Sequence, residues 1–163
     1  MEKVVDWRPS ARSAAASRGL DPALVEALAL TESAGEVFAV RYEPSYQWLF
    51  QPARFRPRNS TLETEVVFQK TSWGLMQIMG AVAREHGFRG WLPELCQPEI
   101  NLEYACRRLE FLLERFGGEA EAVSAYNQGS PRRGPDGSFL NQGYVDRVLG
   151  FRAELEKGSA PRK

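Results

Sequence analysis

Apolar residues recur at three- and four-residue intervals in several separate stretches of the chain, each bounded by residues that start or stop a helix. The clearest stretch runs from Pro98 to Phe116. Ile100, Leu102, Ala105, Leu109, Leu112 and Phe116 are its expected buried set, and Gly117-Gly118 its stop. An Ala-rich segment from Pro9 to Arg18 predicts a short helix ended by Gly19. Asp21-Pro22 then predicts an N-cap and a first helical position, opening a helix that reaches Ser33 and stops at Gly35. Leu75, Met79, Val82 and His86 also share a helical spacing, so a helix is expected from about Gly74 to Gly87. Glu119 to Tyr126 and Gln142 to Glu156 predict two more helices, the latter carrying Tyr144, Val148, Leu149 and Phe151.

Two stretches break the helical pattern. Phe88 to Gln97 is a connector marked by Gly and Pro, and Gly129 to Ser138 is a loop. Glu36 to Lys70 is the least regular part, because Pro44, Pro52 and Pro57 exclude one continuous helix. Within it Thr64 to Phe68 suggests a short strand or edge hairpin. The expectation is a mainly α chain: one domain over residues 1–157 with 36–70 as an insertion, and a frayed tail over 158–163.

Composition narrows the class. At 163 residues, 43% hydrophobic and 26% charged, the chain can bury one core without staples. Lys and Arg number 21 and Asp and Glu 21, a formal net charge of zero, so no nucleic-acid footprint is expected. No apolar run approaches the ~20 residues of a membrane helix. Met1 to Arg8 lacks the apolar core of a secretory signal. Either the chain is made in the cytoplasm and delivered by another route, or a leader has been removed. A disulfide between Cys96 and Cys106 is open, though Cys106 falls mid-helix and two buried free thiols are the expectation, and a zinc site is not expected with His86 the only histidine.

The chemistry starts from Glu32. Leu24, Leu28 and Glu32 lie i, i+4, i+8 apart, which puts a carboxyl at the end of an apolar stripe and at a helix C-terminus. Burial and the negative end of the helix dipole both disfavour its charged form. Gly74, at an expected helix start, would let a ligand approach the backbone. Gln77 offers a donor and acceptors suited to a hydroxyl- and amide-rich ligand. In the insertion Tyr42, Tyr46, Trp48, Phe50 and Phe55 alternate with Arg41, Arg54, Arg56 and Arg58. They suit stacking on sugar rings or packing of the insertion onto the domain.

Thr31-Glu32-Ser33, then Gly74-Leu75-Met76-Gln77, then Ala125-Tyr126-Asn127-Gln128-Gly129, in that order, resembles the lytic transglycosylases and their goose-type lysozyme relatives. The resemblance spans about Asp21 to Phe151 and implies a lysozyme-like domain acting on peptidoglycan glycan strands as a monomer, without metal or cofactor. It implies Glu32 as general acid and then base, with Ser33 orienting it or the leaving group. Met76 and Gln77 would line the cleft floor, and Gly74 would give access to the backbone. Tyr126 would pack beneath the site, Asn127 would hold an N-acetyl group, and Tyr144 would position the Glu32 carboxyl. The product would be a 1,6-anhydromuramic end.

The chain departs from the family pattern at Gly80, where Pro is frequent, at Gln128, where a small residue is usual, and in the length of the insertion. That insertion supplies further acids, Glu36, Glu43, Glu63 and Glu65. Goose-type lysozymes hydrolyse with a downstream carboxylate, so Glu43 is the candidate second carboxylate of a muramidase alternative. A glycan-binding virion module is the alternative outside enzymes. The run Arg41-Tyr42-Glu43-Pro44 resembles phage-borne members, implying delivery to the bacterial wall by phage lysis or virion.

Overall fold

The computed structural model describes residues 5–158. The tail expected over 158–163 falls, apart from Gly158, outside them.

The helix at the centre of the core is α2 (Pro22–Ser33), in which Leu24 to Ala29 are all buried. Asp21 caps it by accepting the Ala23 N–H at 2.9 Å. Its end comes one residue sooner than Gly35: Ala34 takes the left-handed conformation at φ 55°, and Gly35 follows at φ 85°. A Cβ on Gly35 would sit 3.0 Å from the buried Trp7 ring, which accounts for glycine there. The first helix, α1 (Arg8–Ser17), lays Ala11 and Ala15 against α2.

Next comes the irregular segment, with a strand β1 (Val40–Tyr42), a short helix α3 (Pro52–Phe55) and a helix α4 (Leu62–Gln69). The strand expected at Thr64 to Phe68 is therefore corrected to helix. Thr61 caps it, its Oγ1 accepting the Thr64 N–H at 3.1 Å. The β-branched Thr64, Val66 and Val67 misled because the inward face of α4 is polar. Glu65 and Gln69, one turn apart, are buried, and Glu65 forms a bidentate ion pair with the fully buried Arg84 at 2.8 and 3.0 Å. Gln69 donates to Glu65 and exchanges two hydrogen bonds with the Phe50 backbone.

The second correction concerns Gly74. No helix begins there. β2 (Thr71–Trp73) and β3 (Ile78–Met79) form a tight antiparallel hairpin, β1 pairs on the outer side of β2, and α5 (Gly80–Glu85) starts only at Gly80. Thr71 to Met76 are buried without interruption, and a run buried on every side carries no period from which strand and helix could be told apart. Gly74 has φ 66°, and a Cβ there would meet the Leu95 carbonyl at 2.4 Å and Asn101 at 2.6 Å. The close approach is made by the protein itself. Gly80 has the same kind of cause: a Cβ would lie 2.2 Å from the Phe68 carbonyl at the end of α4.

The long helix α6 (Pro98–Phe116) has the bounds its caps predict, and Ile100 and Phe116 of its expected buried set are only half-buried. In their place it buries Cys106 and Asn101. Asn101 accepts the Met76 N–H at 2.8 Å and donates to the Trp73 and Leu95 carbonyls at 2.7 and 2.8 Å, so a single amide holds the hairpin turn. α7 (Glu119–Gln128) and α8 (Gln142–Glu156) complete the bundle, α8 lying along α2. Both cysteines are free, and no helix among the described residues is long and apolar enough to cross a membrane.

Candidate active site

Where α2 ends, the hairpin, the insertion, one face of α6 and the end of α7 enclose an open cleft of about 900 Å³. Such a volume suits an extended oligosaccharide better than a single small metabolite. Glu32 reaches it from the last turn of α2. From behind, Tyr144 of α8 donates its hydroxyl to Glu32 Oε1 at 2.5 Å. Burial pushes the Glu32 carboxyl above its ordinary range, outweighing the Tyr144 hydrogen bond and the Arg41 charge, which both pull it down. Burial, then the Glu32 charge, pushes the Tyr144 hydroxyl well above its usual value, so it remains a donor. The hydrogen bond orients the carboxyl, and burial makes it keep its proton more readily than one in water.

The other residues singled out from sequence separate into two layers. Gln77, Tyr126, Asn127 and Glu43 line the cleft with Glu32. Ser33, Gly74 and Met76 lie beneath it. Met76, expected on the cleft floor, is fully buried, and its side chain belongs to the core. Its carbonyl accepts the Tyr126 hydroxyl at 2.9 Å, which locks α7 to the hairpin turn. Ser33 donates to the Leu75 carbonyl at 2.7 Å, joining α2 to the same turn, and makes no bond to Glu32. Gln77 spends its amide within the hairpin: its nitrogen donates to the Ala39 and Gly74 carbonyls at 3.0 and 2.8 Å, and its oxygen accepts from Ser72 at 2.9 Å. It thereby pays for its own left-handed backbone, φ 47°, with three side-chain hydrogen bonds. Asn127 is exposed in the cleft, its oxygen accepting from Asn141 at 3.0 Å while its N–H groups stay available. Glu43 is held by Arg41 at 2.5 Å.

The insertion's aromatics divide between their two expected roles. Tyr46 and Trp48 stand edge to face at 5.4 Å and line the cleft, Trp48 being 70% exposed. Phe50 and Phe55 stack on each other at 5.4 Å away from it. Sequence reasoning missed Arg108, Phe111 and Arg115, which α6 presents to the cleft. A signal was there: the three share one helical face, and neither arginine has an acid three or four residues away on that helix.

Among the described residues no group of His, Cys, Asp and Glu is arranged to hold a metal ion. A mainly α domain with a proton-holding carboxyl in an open, aromatic-rimmed cleft is the class of the lysozyme-like enzymes. The family model of the transglycosylase SLT domain matches residues 9–136, and the chain belongs to that family, whose members act on peptidoglycan. No curated protein and no solved structure matches the chain. The match ends before α8, so Tyr144 enters the site on geometry alone.

The raised Glu32 pKa predicts a pH-dependent stability. A carboxyl whose folded pKa exceeds its unfolded value, roughly 4.3, stabilises the native state fully below that value. That contribution is lost as pH rises through the folded pKa. Glutamine stays neutral and can still accept from Tyr144. In urea melts the stability of Glu32→Gln relative to the parent should therefore be more favourable at pH 8 than at pH 4. An equal difference at both pH values would mean a comfortably solvated carboxylate.

Proposed function

We propose that this chain is a peptidoglycan lytic transglycosylase cleaving the MurNAc–GlcNAc β-1,4 bond, with Glu32 as the single acid and base. The observation that carries this reading is the Glu32–Tyr144 pair in the cleft, with the nearby Glu43 already engaged by Arg41. The Glu32 carboxyl gives its proton to the glycosidic oxygen as the C1–O bond breaks. The carboxylate then takes the proton of the muramic 6-hydroxyl as that oxygen closes on C1. The leaving strand keeps the first proton, Glu32 recovers the second, and no water is consumed. Asn127 holds an N-acetyl group, Tyr46 and Trp48 carry sugar faces, and Tyr144 keeps Glu32 aimed. Ser33, Gly74, Met76, Gln77 and Tyr126 act indirectly, by fixing the hairpin turn that forms the cleft floor. Residues 1–157 act as one monomeric catalytic unit, the insertion 36–70 forming one wall. Delivery to the wall by a phage route is our reading of the Arg41 to Pro44 run.

Glu43 lines the same cleft, and this favours one alternative, a muramidase in which Glu43 activates water opposite Glu32. Mass spectrometry of the digest separates the two. The expected products end in 1,6-anhydromuramic acid, one water lighter than hydrolysed ends. Reducing ends throughout would establish the hydrolase, and Glu43→Gln should then be as damaging as Glu32→Gln. Intact strands would leave the glycan-binding module.

A further inference from the structure

Three arginines line the cleft with no carboxylate in salt-bridge contact. Most of the described arginines that are partly or fully buried are paired: Arg18 with Glu103 and Glu110, Arg84 with Glu65, Arg107 with Glu103, Arg152 with Asp21 and Glu119. Among the described residues Arg108, Arg115 and Arg132 have no carboxylate within 4 Å, and their side chains donate no hydrogen bond. Arg108 stands out because it is half-buried. A guanidinium loses hydration there and normally regains it from an acceptor. Burial accordingly pulls its pKa down, helped by the Arg115 charge and opposed by Glu85 and by the Tyr126 and Tyr46 hydroxyls. Phe111 sits between the two α6 arginines, their guanidinium carbons 5.5 and 5.8 Å from its ring centre. An uncharged glycan backbone gives such a strip nothing to bind.

We propose that the Arg108–Phe111–Arg115 strip of α6 is a subsite for the carboxylates of the peptide stem carried by the muramic lactyl group, so that stem-bearing strands are preferred to bare glycan. The proposal rests on the peptidoglycan reading above. An arginine fork takes a carboxylate through two parallel hydrogen bonds, and partial burial strengthens them. Phe111 offers an apolar surface for the alanine methyls of the stem. Glu85, the other charge lining this part of the cleft, suits the ammonium of a diamino acid further along the stem.

The test uses Arg108→Gln, Arg115→Gln and the double variant on two substrates, stem-bearing strands and strands stripped by an amidase whose newly freed lactyl carboxyls have then been amidated. Hydrogen bonds to a charged partner predict a roughly 10- to 100-fold loss of kcat/KM on stem-bearing strands for the double variant, carried mainly by KM. On stripped strands the loss should stay below threefold. Equal losses on both substrates, or none on either, would overturn the proposal. Arg115 is exposed, so its variant folds even if Arg108→Gln does not. Calorimetric binding of the free stem peptide is read independently of turnover. A parent protein that binds the peptide but cuts no strand keeps the subsite and loses the enzyme reading, whereas one that cuts strands without binding the peptide or preferring the stem-bearing form loses the subsite alone. Amidating the stem carboxylates should abolish both the binding and the preference. If amidated stems bind equally well, the arginines do not read carboxylates.

Discussion

Glu32→Gln is expected to lower the rate of wall clearing by at least ~10²–10⁴-fold, the usual worth of general acid–base catalysis, while circular dichroism and glycan binding stay intact. The variant keeps the shape of the side chain and its bond from Tyr144, and removes only the transferable proton. The loss should sit in kcat, because the proton moves in the transition state and contributes little to ground-state binding. The companion variant Glu43→Gln sharpens the result. Glu43 is tied to Arg41, and in a lyase its removal should cost little. Clearing by Glu32→Gln within tenfold of the parent would take Glu32 out of the mechanism.

Arg84→Met should be the most destabilising single change outside the cleft. Arg84 is fully buried and Glu65 is 1% exposed, and the arginine also donates to the Phe88 and Gly90 carbonyls at 3.1 and 2.8 Å. Removing it strands a buried carboxylate, a loss that typically costs about 3–5 kcal/mol. By contrast, the half-exposed Arg133–Glu121 pair at 2.8 Å should be worth about 0–1 kcal/mol. Adding Glu65→Leu to Arg84→Met should recover much of the stability, since two apolar residues need no partner. Urea melts of the three proteins measure this. A cost below about 1 kcal/mol for Arg84→Met would mean that water enters and solvates Glu65. Function is touched as well: the pair joins α4 to α5, so losing it should loosen the insertion wall and raise KM for polymeric strands.

The elements whose bounds were legible are those with local start and stop signals. Asp21-Pro22 opens α2, Pro98 and Gly117 delimit α6, and α8 runs from Gln142 to Glu156 as its spacing predicts. For α2 and α6 the residues that start or terminate the helix lie within a turn of the boundary, while α8 was legible from its spacing alone. The hairpin and α4 were misread for a shared reason. Thr71 to Met76 is buried on all sides, and the inner face of α4 is polar, so neither shows the apolar stripe that marks an element. Their partners, Asn101 and Arg84, lie well downstream in the chain.

The candidate site divides along the same line. From the sequence alone came the three motifs and Glu32 at the end of an apolar helical stripe, because the i, i+4 spacing of a helix decides which side chains share a face. Only the tertiary structure decided what each motif residue does. Tyr144 meets Glu32 across 112 positions. Ser33 and Tyr126 turn their hydroxyls to the Leu75 and Met76 carbonyls and brace the hairpin turn, whose Met76 N–H is held by Asn101. Arg108, Phe111 and Arg115 become cleft residues only once the insertion and the end of α7 close over that side of α6. The physical reason is that burial and charge act through space. A carboxyl's proton affinity and an arginine's lack of an acceptor depend on which distant segments fold against them.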